Sequence, residues 1–139
     1  MITATNLLYN KSAIARMEGV KPEDVLRLEV WANCIFVIIR GRRPRFYSKQ
    51  AFKIHFVEWR RASSCALTAT NNVFNPSVYS VRNEAKGTAY KVQLYRGGAL
   101  CECEDFKNQA RFFGNACCKH IFAAIAQIGH NSLSEYIAA

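Results

Sequence analysis

Apolar and polar positions alternate in two different ways along this chain. From Asn6 to Glu18, Leu7, Leu8, Ile14 and Met17 recur at helical spacing, and Gly19 supplies a stop. Lys21-Pro22-Glu23-Asp24 reads as a turn. Leu26-Arg27-Leu28-Glu29-Val30 then alternates as a half-buried strand does, and Cys34 to Ile39 is an apolar, β-branched run suited to a buried strand. Ala32-Asn33 is the tight connection between them, which predicts a hairpin. Gly41-Arg42-Arg43-Pro44-Arg45 is a turn. Ser48 then caps a helix whose apolar positions are Phe52, Phe56 and Trp59, ending near Arg61. These three aromatics read as core and His55 as an ordinary helix residue.

The second half alternates with the period of strands. Ser77 to Asn83, Ala89 to Tyr95 and Ala99 to Glu104 predict a small antiparallel sheet, with turns at Glu84-Ala85-Lys86-Gly87 and Arg96-Gly97-Gly98. A helix follows from Cys118 through Ile121, Phe122, Ile125 and Ile128 to Gly129. Ser132, with Glu135 three residues on, caps a short last helix. The expected fold is α+β in three regions: a basic α/β region over 1–62, a connecting loop over 63–76, and a sheet-plus-helix module over 77–139.

Composition narrows the class. Of 139 residues, 50% are hydrophobic and 21% charged, which suits a globular core and not a disordered chain. The longest apolar run, Cys34 to Ile39, is far short of the ~20 residues that cross a bilayer. No basic segment leads into an apolar stretch at the start. The expectation is a soluble, intracellular, cytoplasmic protein that makes no membrane contact. The formal charge of +9 points to a polyanionic partner. It is uneven: residues 1–62 carry 12 Lys/Arg against 5 Asp/Glu, and residues 63–139 carry 7 against 5.

The six cysteines are Cys34, Cys65, Cys101, Cys103, Cys117 and Cys118, and the last four fall close together beside His120. Such clustering suits a metal better than disulfides between distant loops. Cys101-Glu102-Cys103 and Cys118-Lys119-His120 form two pairs, one at the end of a strand and one in the first turn of a helix. Together they can offer zinc four ligands of sulfur and imidazole type. The positive end of the helix favours thiolate. Cys117 adjoins Cys118 and in principle can replace it. Cys34 and Cys65 read as packing or incidental residues.

The pattern Cys-x-Cys, a spacer over 104–117, then Cys-x-His resembles the SWIM zinc finger, with Tyr90-Lys91-Val92-Gln93-Leu94-Tyr95 as its lead-in strand. The resemblance covers roughly residues 77–128. It implies one structural zinc ion held by Cys101, Cys103, Cys118 and His120. It also implies a module that binds DNA or proteins and performs no catalysis. The family spacing favours Cys118 over Cys117 and leaves residues 1–62 unassigned.

Outside the module, Arg42, Arg43, Arg45, Lys49, Lys53 and Arg61 are the candidate phosphate contacts. Arginine forks match phosphate geometry, and the neighbouring Phe46 and Tyr47 can stack on an unpaired base. No Gly-rich phosphate loop, His-Glu-x-x-His or Gly-x-Ser-x-Gly occurs, and neither half of the zinc-deaminase pattern is present. No enzyme activity and no small-molecule substrate is expected. The leading expectation is a zinc-stabilised nucleic-acid-binding protein, DNA ahead of RNA, serving recombination, repair or transcription. The rival is an adaptor that docks on a larger complex through the zinc module or through Phe112-Phe113.

Overall fold

The computed structural model describes residues 2–138. Met1 and Ala139, the outer ends of the expected regions, lie outside the described residues. The chain is α+β and divides into two compact units, Met1–Trp59 and Arg60–Ala139. No helix among the described residues is long and apolar enough to cross a membrane.

In the first unit the expected single helix is two: α1 (Ala4–Leu8) and α2 (Lys11–Glu18). Asn10 is the reason. Its backbone is extended, and its side chain accepts the Ala13 N–H at 2.8 Å, capping α2 and ending α1. Gly19 closes α2 in the left-handed conformation, φ +68°, where a side chain would be strained. A 3-10 turn at Pro22–Asp24 leads into β1 (Val25–Val30), paired antiparallel with β2 (Ile35–Ile39).

Arg45–Tyr47, with Arg45 expected to end the turn and Phe46 and Tyr47 to belong to no element, forms β3 and completes the order β1-β2-β3. An irregularity between Val25 and Arg27 breaks the predicted alternation of β1, so that Leu26 is exposed while Val25 is buried. Ile14, Val25, Ile35, Val37 and Phe52 are the fully buried heart of this unit.

Helix α3 (Lys49–Ser64) starts where expected, with Ser48 Oγ accepting the Ala51 N–H at 3.0 Å. Its aromatics do not share one role. Phe52 is buried and Phe56 half-buried. Trp59 remains 40% exposed, with the Arg16 guanidinium 3.9 Å above its ring. The division between the units falls within this helix.

The second unit contains a four-stranded antiparallel sheet, β4 (Thr68–Asn71), β5 (Val78–Asn83), β6 (Thr88–Tyr95) and β7 (Gly98–Cys101), in that order. Strand β4 lies in the stretch expected to be loop. Its polar Thr-Ala-Thr-Asn carries no core signature, because it is an edge strand paired on one side only. A second unexpected element, α4 (Glu104–Phe113), occupies the spacer between the cysteine pairs. Acidic residues in its first turn, Arg111 in its last and Gly114 beyond it are ordinary helix signals. Helices α5 (Lys119–Gln127) and α6 (Leu133–Ala138) match expectation, and Ser132 Oγ accepts the Glu135 N–H at 3.1 Å.

Alternation along the strands sends Tyr79, Val81, Val92, Leu94, Ala99 and Cys101 to one face, where they pack against Ile121, Phe122, Ala124 and Ile125 of α5. Cys101 is the partner of Val92 in this register. The rule that buries Val92 therefore also turns Cys101 toward α5.

One interaction in the first unit has a measurable signature. Tyr47 is buried and donates its hydroxyl to Glu18 at 2.5 Å. Burial and this bond to a carboxylate push its phenol from 10 up to about 12. The folded chain thus holds this proton more tightly than the unfolded one. The associated stability is complete below about pH 10 and is lost as pH rises toward 12. Phenolate absorbance of the wild type should contain a late step that Tyr47→Phe lacks. Identical titrations for the two proteins would show that the phenol is not so held.

Candidate metal centre

The four residues paired in the sequence meet in space. The ligand atoms of Cys101, Cys103, Cys118 and His120 all lie within 4.8 Å of one another, and all four residues are buried. Each comes from the end of an element. Cys101 is the last residue of β7, Cys103 the N-cap of α4, Cys118 the N-cap of α5, and His120 stands in the first turn of α5. Two helices thus begin at the cluster, and the positive ends of their dipoles favour negative charge there. The Phe106 N–H donates to Cys103 Sγ at 3.4 Å.

The donors lie close enough together to hold one metal ion. Bonds of ~2.0 to 2.3 Å imply ligand atoms about 3.5 to 3.8 Å apart along a tetrahedron's edges. Cys118 Sγ lies 3.7 Å from His120 Nδ1. The thiols also interact strongly in the absence of a cation. Hydrogen bonds from Cys101 and Cys118 hold Cys103 well below the ordinary thiol range against the effect of burial, and His120 and the Phe106 N–H add to the lowering. The hydrogen bond with Cys103 pushes Cys101 up to about 11, and Cys101 and Cys103 together push Cys118 upward. One thiolate therefore forms readily and its neighbours resist becoming second and third. A cation bound among them removes that repulsion.

Among the described residues, Cys117 is not part of this cluster. Burial raises its thiol to about 12, so the side chain stays protonated. Its backbone is what the fold uses. Gln109 of α4 accepts the Cys117 N–H at 3.0 Å and donates to the Cys117 carbonyl at 3.4 Å. Gln109 also donates to Asp105 at 2.9 Å, and Asp105 takes two 2.8 Å hydrogen bonds from Arg60. The chain Arg60–Asp105–Gln109–Cys117 thereby positions the strand of backbone that delivers Cys118. The four-residue spacing of Asp105 and Gln109 is a legible helical signal. Arg60 carries no such signal, since it lies 45 residues from Asp105. Cys34 and Cys65 lie elsewhere, half-buried and exposed respectively.

The chain matches no protein-family model, no curated protein and no solved structure. The functional reading therefore rests on the geometry of the chain itself.

The six candidate phosphate contacts have different surroundings. Arg42 and Arg45 both reach Glu18, at 3.1 and 3.3 Å. Lys49 Nζ donates to the Ala32 carbonyl at 3.0 Å. Arg43 and Lys53 are exposed. Arg61 belongs to the second unit, where it donates to the Asn131 carbonyl at 3.0 Å and lies over the Phe122 ring. Arg60, next to Arg61 on α3, is buried against Asp105. Phe46 is 57% exposed, whereas Tyr47, its neighbour and fellow candidate for stacking, is turned into the core.

Proposed function

We propose that Cys101, Cys103, Cys118 and His120 hold one structural zinc ion in a SWIM-like module over residues 77–128, and that the chain binds nucleic acid, DNA ahead of RNA. The observation that carries the metal half is the buried Cys₃His quartet with its 3.7 Å sulfur–nitrogen edge. Three thiolates and an imidazole in a tetrahedron select a soft or borderline ion such as zinc over magnesium or calcium. Four protein ligands leave no position for water, so this reading assigns the site no catalysis.

The nucleic-acid half rests on charge. The pairs of Arg42 and Arg45 with Glu18 are partly solvated, with arginine side chains 41% and 57% exposed. Such surface pairs are worth ~1 kcal/mol or less and exchange readily for phosphate. Binding to duplex DNA, single-stranded DNA and RNA across a salt series tests it. The affinity should fall steeply with salt, and replacing Arg42, Arg43 and Arg45 with alanine should reduce the logarithmic slope by about 2 to 3. A slope unchanged by the triple substitution removes these residues from the interface.

One observation favours the adaptor as a second reading. Val73 and Phe74, between β4 and β5, are 86% and 95% exposed, a more prominent apolar knob than Phe112-Phe113. Absence of nucleic-acid binding at low salt, with a protein partner lost in Phe74→Asp, would favour it.

A further inference from the structure

Side chains on β3 point alternately to the two faces of its sheet. Tyr47 goes into the core, so Phe46 stands on the other face, opposite Phe36 of β2. Trp31, just after β1, lies over the same place. Its ring stacks on Phe36 with centroids 5.4 Å apart and planes at 20°. It also meets Phe46 edge-on at 5.1 Å, and Phe36 and Phe46 are 5.3 Å apart. These are the separations at which aromatic rings attract one another, so the trio holds its own shape. Even so, Trp31 is 45% and Phe46 57% exposed. A core would have buried them; here a preformed aromatic surface is left in water.

Its surroundings are basic. Arg27 is the partner of Ile38 on the same sheet, and Lys49 Nζ is bonded to the turn that follows Trp31. Glu29, opposite Phe36, is occupied by Arg27 at 2.7 Å. Arg43 lies three residues before Phe46 and is exposed, while Arg45 is turned to the other face beside Tyr47. Residues 1–59 hold 10 Lys/Arg against 5 Asp/Glu. An apolar protein partner gains nothing from such a rim, whereas a phosphate chain with accessible bases matches both its charge and its rings. In a duplex the base faces are hidden by stacking, and only an unpaired strand can offer them.

We propose that Trp31, Phe36 and Phe46 form a stacking platform for unpaired bases, so that the preferred partner of this chain is single-stranded nucleic acid. The inference rests on the nucleic-acid reading above and adds to it a surface and a strand form. The backbone phosphates would be met by Arg27, Arg43 and Lys49.

The test uses the full-length, zinc-loaded chain and labelled oligothymidylate, oligouridylate and duplex DNA, with affinity measured by fluorescence anisotropy at several salt concentrations. The wild type should prefer the single strands. Trp31→Ala and Phe46→Ala should each weaken single-strand binding by about 5- to 100-fold with the salt slope unchanged, since a stacked ring releases no counterions. Phe46→Tyr keeps a ring and should bind like the wild type. Phe46→Leu keeps apolar volume without a ring and serves as the probe of stacking if the alanine variant folds poorly. In a Trp59→Phe background, oligothymidylate should quench the fluorescence of Trp31.

Binding that is tight but indifferent to Trp31 and Phe46 overturns the platform while leaving the nucleic-acid reading standing. So does a preference for duplex. Failure to bind any of the three probes at low salt overturns both. Self-association of the wild type that Phe46→Ala abolishes, without any effect on oligonucleotides, assigns the face to a protein contact and overturns the platform. Oligothymidylate against oligouridylate separates a DNA from an RNA partner.

Discussion

Removing zinc from the purified chain with a strong chelator should unfold residues 77–128. The quartet brings the end of β7 and the start of α4, two residues apart in the chain, to the start of α5. The core these elements enclose is small, and three of its members, Cys101, Cys103 and Cys118, belong to the candidate ligand set. Without the ion only one thiolate forms and its neighbours stay protonated, so hydrogen bonds alone hold the sulfurs together. Structural zinc in comparable small modules has an apparent binding free energy of ~10 to 16 kcal/mol, larger than the whole stability of many domains. Cys101→Ser should produce the same loss.

The sign of the pH dependence follows from the thiols. Protons compete with the metal, Cys101 is raised to about 11, and so zinc affinity should fall as pH falls. Elemental analysis of protein purified without chelator should give one zinc per chain. A chain that contains none and still protects the amides of α5 from hydrogen exchange would refute the assignment.

Asp105→Ala should destabilise the second unit by about 2 to 3 kcal/mol. Arg60 is nearly enclosed, with a side chain 10% exposed, and its two hydrogen bonds to Asp105 are both 2.8 Å. Removing the carboxylate takes two short hydrogen bonds from a buried guanidinium, a loss of about 3 to 5 kcal/mol in a fully enclosed pair. Asp105 is itself 32% exposed, so water relieves part of that cost. The same substitution frees Gln109, whose amide grips the backbone of Cys117. Hydrogen exchange in α5 of the zinc-loaded protein should therefore accelerate roughly 30- to 150-fold, and zinc should bind more weakly. The combined Arg60→Met, Asp105→Leu protein should recover much of the loss, since apolar groups of similar volume leave no stranded charge. An Asp105→Ala protein whose exchange changes less than about fivefold would reduce the pair to a surface contact.

Legibility in the sequence divided along the distance over which each feature is decided. The quartet was readable because spacing within each pair and the switch from strand to helix are local. Strands β5 to β7 and helices α3 and α5 were readable because one buried face imposes a period. The break between α1 and α2 turned on a single side chain, Asn10, competing with the helix for a backbone N–H. Strand β4 had no period to read, since only its pairing with β5 makes it a strand. Helix α4 carried adequate signals at both ends, but its residues also formed the interval between ligand pairs, and an interval has length without shape. The roles of Arg60 and Tyr47 depended on partners 45 and 29 residues away. Composition could count Arg60 as a surface cation, and only the fold could bury it.

The grip of Gln109 on Cys117 also bears on how this stretch can drift. Position 117 is asked for an N–H and a carbonyl, with a small apolar side chain to fill the space beside the core. Proline cannot serve there, because it lacks the hydrogen, but alanine, serine or valine can. As a metal ligand, position 118 would tolerate no such exchange. Two adjacent and chemically identical residues are thus under unlike demands: the fold reads one through its main chain and the other through its sulfur.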